Sequence, residues 1–230
     1  MGENFVDLWY AERKTAAGLA KIGSASSNCK DFHMKSKSRK KRCGDCGTEV
    51  SPYDGVYLST GDTSRFLCSK CYNESISEAI GLNFDHLSFH PMVLTDRDGA
   101  DHTFHFQTHL FGDKVNIQAL EIREGEPGGY ELSEHGDAED DLFGLFVKLV
   151  ERLRRELERK HIEPSDLTRY RITNENIVRG HITWDDDTGG EVPCLVIDGK
   201  ELSWHEFGRM LMSYEGFHFK LEIYEGTEER

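Results

Sequence analysis

No stretch of this 230-residue sequence approaches the roughly 20 consecutive apolar residues that a helical membrane span needs. The most apolar stretch, Leu142 to Val150, is interrupted by Lys148. The N-terminus carries Glu3, Asp7 and Glu12 and lacks the basic and apolar regions of a secretory leader, so a cytoplasmic protein is expected. There is no Gly-Lys-Ser loop to cradle a phosphate, no dinucleotide fingerprint and no nucleophile elbow, which removes the commonest signatures of nucleotide-dependent enzymes and hydrolases. No internal repeat of fixed period is evident, which excludes a solenoid. Positive charge is scarce too. Lys+Arg 28 against Asp+Glu 42 leaves a net charge of −14, which speaks against a surface that grips nucleic acid throughout. What is present is an ordinary soluble composition, with 37% hydrophobic residues and 22 Gly, enough to build a core and too much for wholesale disorder.

The average charge conceals an asymmetry. Residues 1–42 hold ten basic and four acidic residues, a net of +6. Residues 43–80 hold two basic and six acidic, a net of −4, and residues 81–230 carry a net of −16. A basic arm precedes an acidic body, a pattern that marks interaction tails. The densest part of the arm is Lys35 to Arg42, with six basic residues (Lys35, Lys37, Arg39, Lys40, Lys41, Arg42) and no apolar periodicity. Beside a metal-binding finger, such a run suits phosphate contacts. As a solvated linker it would need no partner at all.

Hydrophobic spacing divides the chain. Phe5, Leu8, Trp9, Ala16, Leu19 and Ile22 predict a short amphipathic helix over 4–22, followed by a linker at 23–28. From Pro91 the period becomes two: 92–95, 103–111, 115–123 and 130–134 predict strands, with Asp98-Gly99 and Gly112-Asp113 as turns of an antiparallel meander. Residues 138–161 predict a strong helix with Leu142, Leu145, Phe146, Leu149, Leu153 and Leu157 on one side. Acidic residues 139–141 fall in its first turn and basic residues 159–161 in its last. Further strands are expected at 168–172, 177–184 and 192–197, with an Asp198-Gly199 hairpin turn. Ser203 and Glu206 form a capping-box pattern that opens a helix to about Ser213. Phe217, Phe219, Leu221 and Ile223 alternate with His218, Lys220 and Glu222, the pattern of a half-buried strand. The expected class is α+β: a small zinc finger followed by an antiparallel-sheet domain with one long and one short helix. The expected division is an arm at 1–42, a four-cysteine module at 43–82 and an α+β domain at 88–225, divisible into 88–162 and 165–225.

Six cysteines occur, and four of them spell Cys43-Gly44-Asp45-Cys46 and Cys68-Ser69-Lys70-Cys71. Two such pairs read as a structural zinc site, because Zn²⁺ favours tetrahedral thiolate ligation and a two-residue gap lets both sulfurs of a pair bend toward one ion. Gly44 and Gly47 ease the tight turn in which amide N–H groups approach sulfur. Between the pairs, 56–58 and 65–67 predict a hairpin, and after Cys68 the segment CYNESISEAI predicts a helix ending at Gly81. Knuckle, hairpin, then a second pair at a helix start is an order resembling treble-clef zinc fingers. With sulfur at all four positions no ligand site stays open for water, so a single structural Zn²⁺ is expected and a catalytic one is not. Cys29 and His33 have no partner pair nearby, and Cys194, inside PCLVI, suits a small buried hydrophobe.

Catalytic candidates are weaker. His105 and His109 lie about 13 Å apart along a regular strand, too far to share an ion. With Gln107 they are expected on a solvated face, opposite Phe104 and Phe106. Asp96, Asp98 and Asp101 fit a hairpin turn better than a calcium loop. Asp185, Asp186 and Asp187 suit a solvated loop, since no Glu-x-Lys strand stands nearby to complete a nuclease metal centre. Trp184 and Trp204 are expected as core anchors.

Three segments, CGDCG with LCSKCYNE, DGADHTFHFQTHLFG with the arginine-rich helix after it, and LVIDGKELSWHEFGRMLMSYEGFHFKLEI, resemble a group of uncharacterised bacterial proteins. These pair a treble-clef-like zinc module with a compact α+β domain. The resemblance covers most of residues 43–225 and implies architecture and a bacterial origin. It brings no catalytic residues. The expectation is a non-enzymatic binding or regulatory protein, with a protein or nucleic-acid partner met through the finger and basic arm and no membrane. The alternative is a hydrolase or nuclease-type enzyme with its site in residues 91–225, using groups such as His105 and Asp185.

Overall fold

Three stretches of sequence build three cores, joined end to end by packed connections. The computed structural model describes residues 39–60, 63–185 and 188–224; the expected helix over 4–22, the linker after it, Cys29, His33, Lys35 and Lys37 lie outside them.

The first core forms around the cysteines. Strands β1 (Lys41–Arg42) and β2 (Glu49–Val50) pair antiparallel and enclose the Cys43–Cys46 turn. The longer hairpin β3 (Gly55–Thr60) and β4 (Thr63–Cys68) follows, then helix α1 (Ser69–Ile80). Gly81 ends α1 in the left-handed region at φ 71°, as a glycine C-cap does. Cys43, Leu67, Cys71 and Tyr72 are buried here.

The second core lies between a four-stranded sheet and one helix. Strands β5 (Met92–Thr95), β6 (Asp101–Phe111), β7 (Lys114–Arg123) and β8 (Glu126–Asp137) form an antiparallel meander in that order. Helix α2 (Leu142–Leu157) places Leu142, Leu145, Leu149, Leu153 and Leu157 against Phe104, Phe106, Leu110, Val115 and Ile117. Its spacing of three and four residues makes that stripe continuous. Asp141 caps the start by accepting from the Phe143 amide at 3.0 Å. The helix is shorter than the 138–161 expected. The Arg97 amide takes the Leu157 carbonyl at 3.1 Å, and the His161 and Ile162 amides both turn away to Asp198 Oδ2 at 2.8 Å. Arg159, Lys160 and His161 therefore lie beyond the last turn.

β8 starts four residues before the expected strand, because it passes through an irregularity opposite Glu121. Gly129 sits there at φ 103°, and a Cβ on it would come within 2.0 Å of Glu121 Oε2. The Glu121 carboxylate, 3% exposed, accepts from the Tyr130 amide, the Arg123 guanidinium and a ring nitrogen of His102. Those donors offset the cost of burying its charge.

The third core is small. Strands β9 (Ile162–Pro164) and β10 (Tyr170–Ile172) pair, and β11 (His181–Trp184), β12 (Pro193–Ile197) and β13 (Lys200–Ser203) form a sheet in that order. β9 and β13 were not expected. The Asp198-Gly199 turn joining β12 to β13 has φ of 49° and 64°, both left-handed, as its dipeptide predicts. Helix α3 (Trp204–Leu211) carries the full capping box of Ser203 and Glu206. Ile162, Ile172, Ile197, Leu202 and Met210 are buried together, and Cys194 is 3% exposed beside them in β12.

Two expectations fail in this last unit. Trp184 and Trp204 are about half exposed and anchor no core; the short strands and the eight-residue helix leave too little depth to cover an indole. The segment 217–223 joins no strand, and Phe217, Phe219, Leu221 and Ile223 all face solvent. Alternation makes a strand only where an edge receives it.

Candidate metal centre and its seat on the sheet

The four sulfurs of Cys43, Cys46, Cys68 and Cys71 lie within 4.8 Å of one another. Local folding brings them there. The β1–β2 turn is closed by the Cys43 amide on the Thr48 carbonyl (2.9 Å) and the Gly47 amide on the Cys43 carbonyl (3.1 Å), with Gly47 at φ 73°. The Gly44 amide reaches across to the Phe66 carbonyl of β4 at 2.8 Å, which ties this turn to the second pair. Cys68 is the N-cap residue of α1 and Cys71 sits in its first turn.

The donor set fits a tetrahedral metal. Four thiolates about 2.3 Å from one ion stand about 3.8 Å apart along each edge. Cys46 Sγ and Cys68 Sγ are 3.8 Å apart. The electrostatics divide the four. At Cys43 burial opposes ionisation, but amides of Cys46, Cys68 and Asp45 outweigh it and bring the thiol down to about 6. Cys46 is lowered by the Thr48 hydroxyl, 3.3 Å away, and by the Thr48 amide. Cys68 is raised by burial, and Cys71 is raised further by burial and by the sulfurs around it. Holding all four as thiolates in so small a space would need a cation. These four cysteines could hold a metal ion.

The basic run meets the finger directly. Arg39, Lys40, Lys41 and Arg42 are all exposed. Lys41 donates to the Tyr57 hydroxyl at 2.9 Å and lies over the rings of Tyr57 and Phe66, while Arg42 pairs with Glu49 at 3.1 Å. Tyr57 is half exposed. Aromatic rings thus stand beside the basic residues, although none interleaves with them in sequence.

Contrary to the expected solvated face, His105, Gln107 and His109 point at the finger. His105 Nε2 is 3.1 Å from Asp54 Oδ1, Gln107 donates to the Tyr53 carbonyl, and His109 Nε2 is 3.0 Å from Ser69 Oγ. Gln107 and His109 are 4% and 8% exposed. Burial pulls His109 down to about 4, so it stays neutral. The contact pivots on Asn73 of α1, fully buried. Its Nδ2 donates to the Thr108 carbonyl at 2.8 Å, and its Oδ1 accepts from the Leu110 amide at 2.9 Å. β5 pairs with β6 only between Asp101 and Phe104. Past that point the Asn73 amide takes the place of a neighbouring strand on the open edge. Ile76, one turn on, packs against both the finger's core and the sheet's.

Spacing could have found none of Asp54, Ser69, Asn73 or His86, whose Nδ1 lies 2.9 Å from Asn73 Nδ2, because these partners lie 13 to 51 residues apart. Of the other candidates, Asp96 is a turn residue, its carboxylate accepting from the Asp98 and Ala100 amides. Asp185 is buried at the end of β11, contrary to the solvated loop expected, and Asp186 and Asp187 lie outside the described residues. His105 lies in β6 of the four-stranded sheet, whereas Asp185 directly follows β11 of the three-stranded sheet.

Three family models match the chain in succession. Each is described as a domain of unknown function: DUF7685 over residues 42–83, DUF7686 over 85–158 and DUF7713 over 161–228. No curated protein and no solved structure matches. Among the described residues no helix is long and apolar enough to cross a membrane.

Proposed function

We propose that this chain is a non-enzymatic binding or regulatory protein whose finger holds one structural Zn²⁺ and presents the basic arm to a partner. The observation that carries this reading is the sulfur cluster itself. Four thiol ligands suit zinc and fill its tetrahedron, leaving no position for a water or substrate. The order of knuckle, hairpin and helix-borne second pair supports a treble-clef finger. The neighbourhood of Lys41, Tyr57 and Phe66 favours a nucleic-acid partner, since cations beside exposed rings suit phosphates and stacked bases. Lys35, Lys37, Arg39, Lys40, Lys41 and Arg42 would supply the phosphate contacts, and a cytoplasmic setting keeps the thiols reduced.

Metal analysis of protein purified without chelators tests the first half. One zinc per chain is expected, and less than about half an equivalent overturns it. A salt titration of DNA and RNA binding tests the second. Neutralising Lys37, Arg39, Lys40, Lys41 and Arg42 together should weaken binding and flatten its salt slope by about 0.7–0.9 for each phosphate no longer neutralised. An unchanged slope removes the nucleic-acid reading.

A further inference from the structure

The last unit of the chain exposes far more apolar surface than the rest. Of the 18 large hydrophobic residues exposed among the described residues, 12 lie between Leu167 and Tyr224. They include the segment 217–224, which carries no regular secondary structure, and an open sheet edge. In the segment, Phe217, Phe219, Leu221 and Ile223 are 70, 91, 72 and 74% exposed. Alternate residues of a strand share a face, so on pairing as a strand these four would form one apolar strip. On the other face Lys220 and Glu222 pair with each other. The strip leaves α3 through a 3-10 turn at Met212–Tyr214 and Gly216, which sits at φ 85°. The edge is β11. β12 pairs with one side of it and, among the described residues, no strand pairs with the other. Ile182 and Trp184, two residues apart and so on one face, are 49% and 46% exposed there.

We infer that two copies of this chain exchange these segments: residues 217–224 of each add to the β11 edge of the other as a fourth strand. Among the described residues one chain carries both halves of the joint, a strand-patterned segment that pairs with no edge and a sheet edge open on its outer side. The lengths are compatible. Eight extended residues reach about 27 Å and cover the roughly 13 Å of β11 with length to spare. The area is sufficient as well. Four such side chains offer about 500 Å² of apolar surface, at the upper end of what a monomer leaves bare. About half of each tail can lie along β11, so the two joints together bury on the order of 1,000 Å², at the low end for a specific interface. A reciprocal exchange closes on a two-fold axis, so the tail and the β11 edge of each chain are both engaged within the pair.

Sedimentation equilibrium of the purified zinc-loaded full chain, across a range of concentration, tests this. The wild type should have twice the chain mass of 26.3 kDa. Phe219→Lys and Ile182→Lys should each fall to the single-chain mass with unchanged thermal midpoints measured in dilute solution, because both residues are exposed in the single chain. Mixing the two variants should restore part of the dimer, since the intact tail of one can still meet the intact edge of the other. Hydrogen exchange at residues 181–184 and 217–224 should slow with concentration in the wild type alone. A wild type that stays at the single-chain mass overturns the inference. So does an Ile182→Lys variant that remains fully dimeric, or a mixture with no complementation.

Discussion

The central sheet and the C-terminal unit treat their surfaces in opposite ways. The sheet buries polar side chains: Gln107, His109, Asn116 and Gln118 are each less than 10% exposed on the face away from α2. The C-terminal unit leaves Trp184, Phe217, Phe219 and Leu221 in solvent. What decides burial is the presence of a partner surface, and residue type is secondary. Part of the sheet's polar face is covered by the finger, which supplies hydrogen-bonding partners to His105, Gln107 and His109. Apart from the edge-on contact of Phe217 with the Tyr214 ring, the C-terminal strip stays in solvent among the described residues.

This contrast can be broken or sharpened by experiment. The largest effect should come from the metal. Chelation, or Cys71→Ala, should abolish the finger's fold, with a loss on the order of 10 kcal/mol of apparent metal-binding free energy. Because Asn73 sits two residues after Cys71, amide exchange at Leu110 in the sheet should accelerate; if protection at Leu110 survives chelation, the finger does not hold the edge. Next, Phe104→Ala in the sheet's core, a side chain with no exposure, should cost about 4 kcal/mol in denaturant unfolding. Asn73→Ala should cost about 3 kcal/mol, since it strands the Thr108 carbonyl and the Leu110 amide. A cost under about 1 kcal/mol would mean that water replaces the amide.

The pH effect follows from His109. Its folded value of about 4 lies below its ordinary 6.5, so the unfolded chain takes up a proton first. The contribution is whole above pH 6.5, declines as pH falls from there to about 4, and amounts to on the order of 3 kcal/mol at most. Stability measured between those limits should fall less steeply for His109→Gln than for the wild type. Parallel curves would count against the buried neutral imidazole. The smallest effect belongs to the C-terminal strip. Phe219→Ala should change single-chain stability by less than about 0.5 kcal/mol, against about 4 for Phe104→Ala.

Local signals in the sequence were largely reliable. The Cys43–Cys71 spacing anticipated the cluster, the leucine stripe anticipated α2, Asp198-Gly199 its hairpin, and Ser203 with Glu206 the start of α3. Each depends on atoms within a few residues of one another or, for the cysteines, on a ligand spacing that could hold one ion. What stayed hidden depends on distant partners. His105, Gln107 and His109 alternate with Phe104, Phe106 and Leu110 as a solvated strand face should, and only the finger's position reveals them as an interface. Phe217 to Ile223 shows the converse, a strand pattern that pairs with no edge among the described residues. The irregularity of β8 depends on Gly129 making room for a buried Glu121, which lies eight residues earlier in sequence.

The placement of Asn73 has a consequence for portability. Along α1 the second metal-binding pair and the amide that clasps β6 are separated by about 3 Å of helix axis. Residues 42–83 match a family model of their own, yet cut out alone they would carry Asn73, Ser69 and Ile76 stripped of the surfaces those residues were shaped against. The finger is better regarded as a keystone than as a bead on a string: set in place it locks a sheet edge, and carried elsewhere it would need another sheet with the same gap.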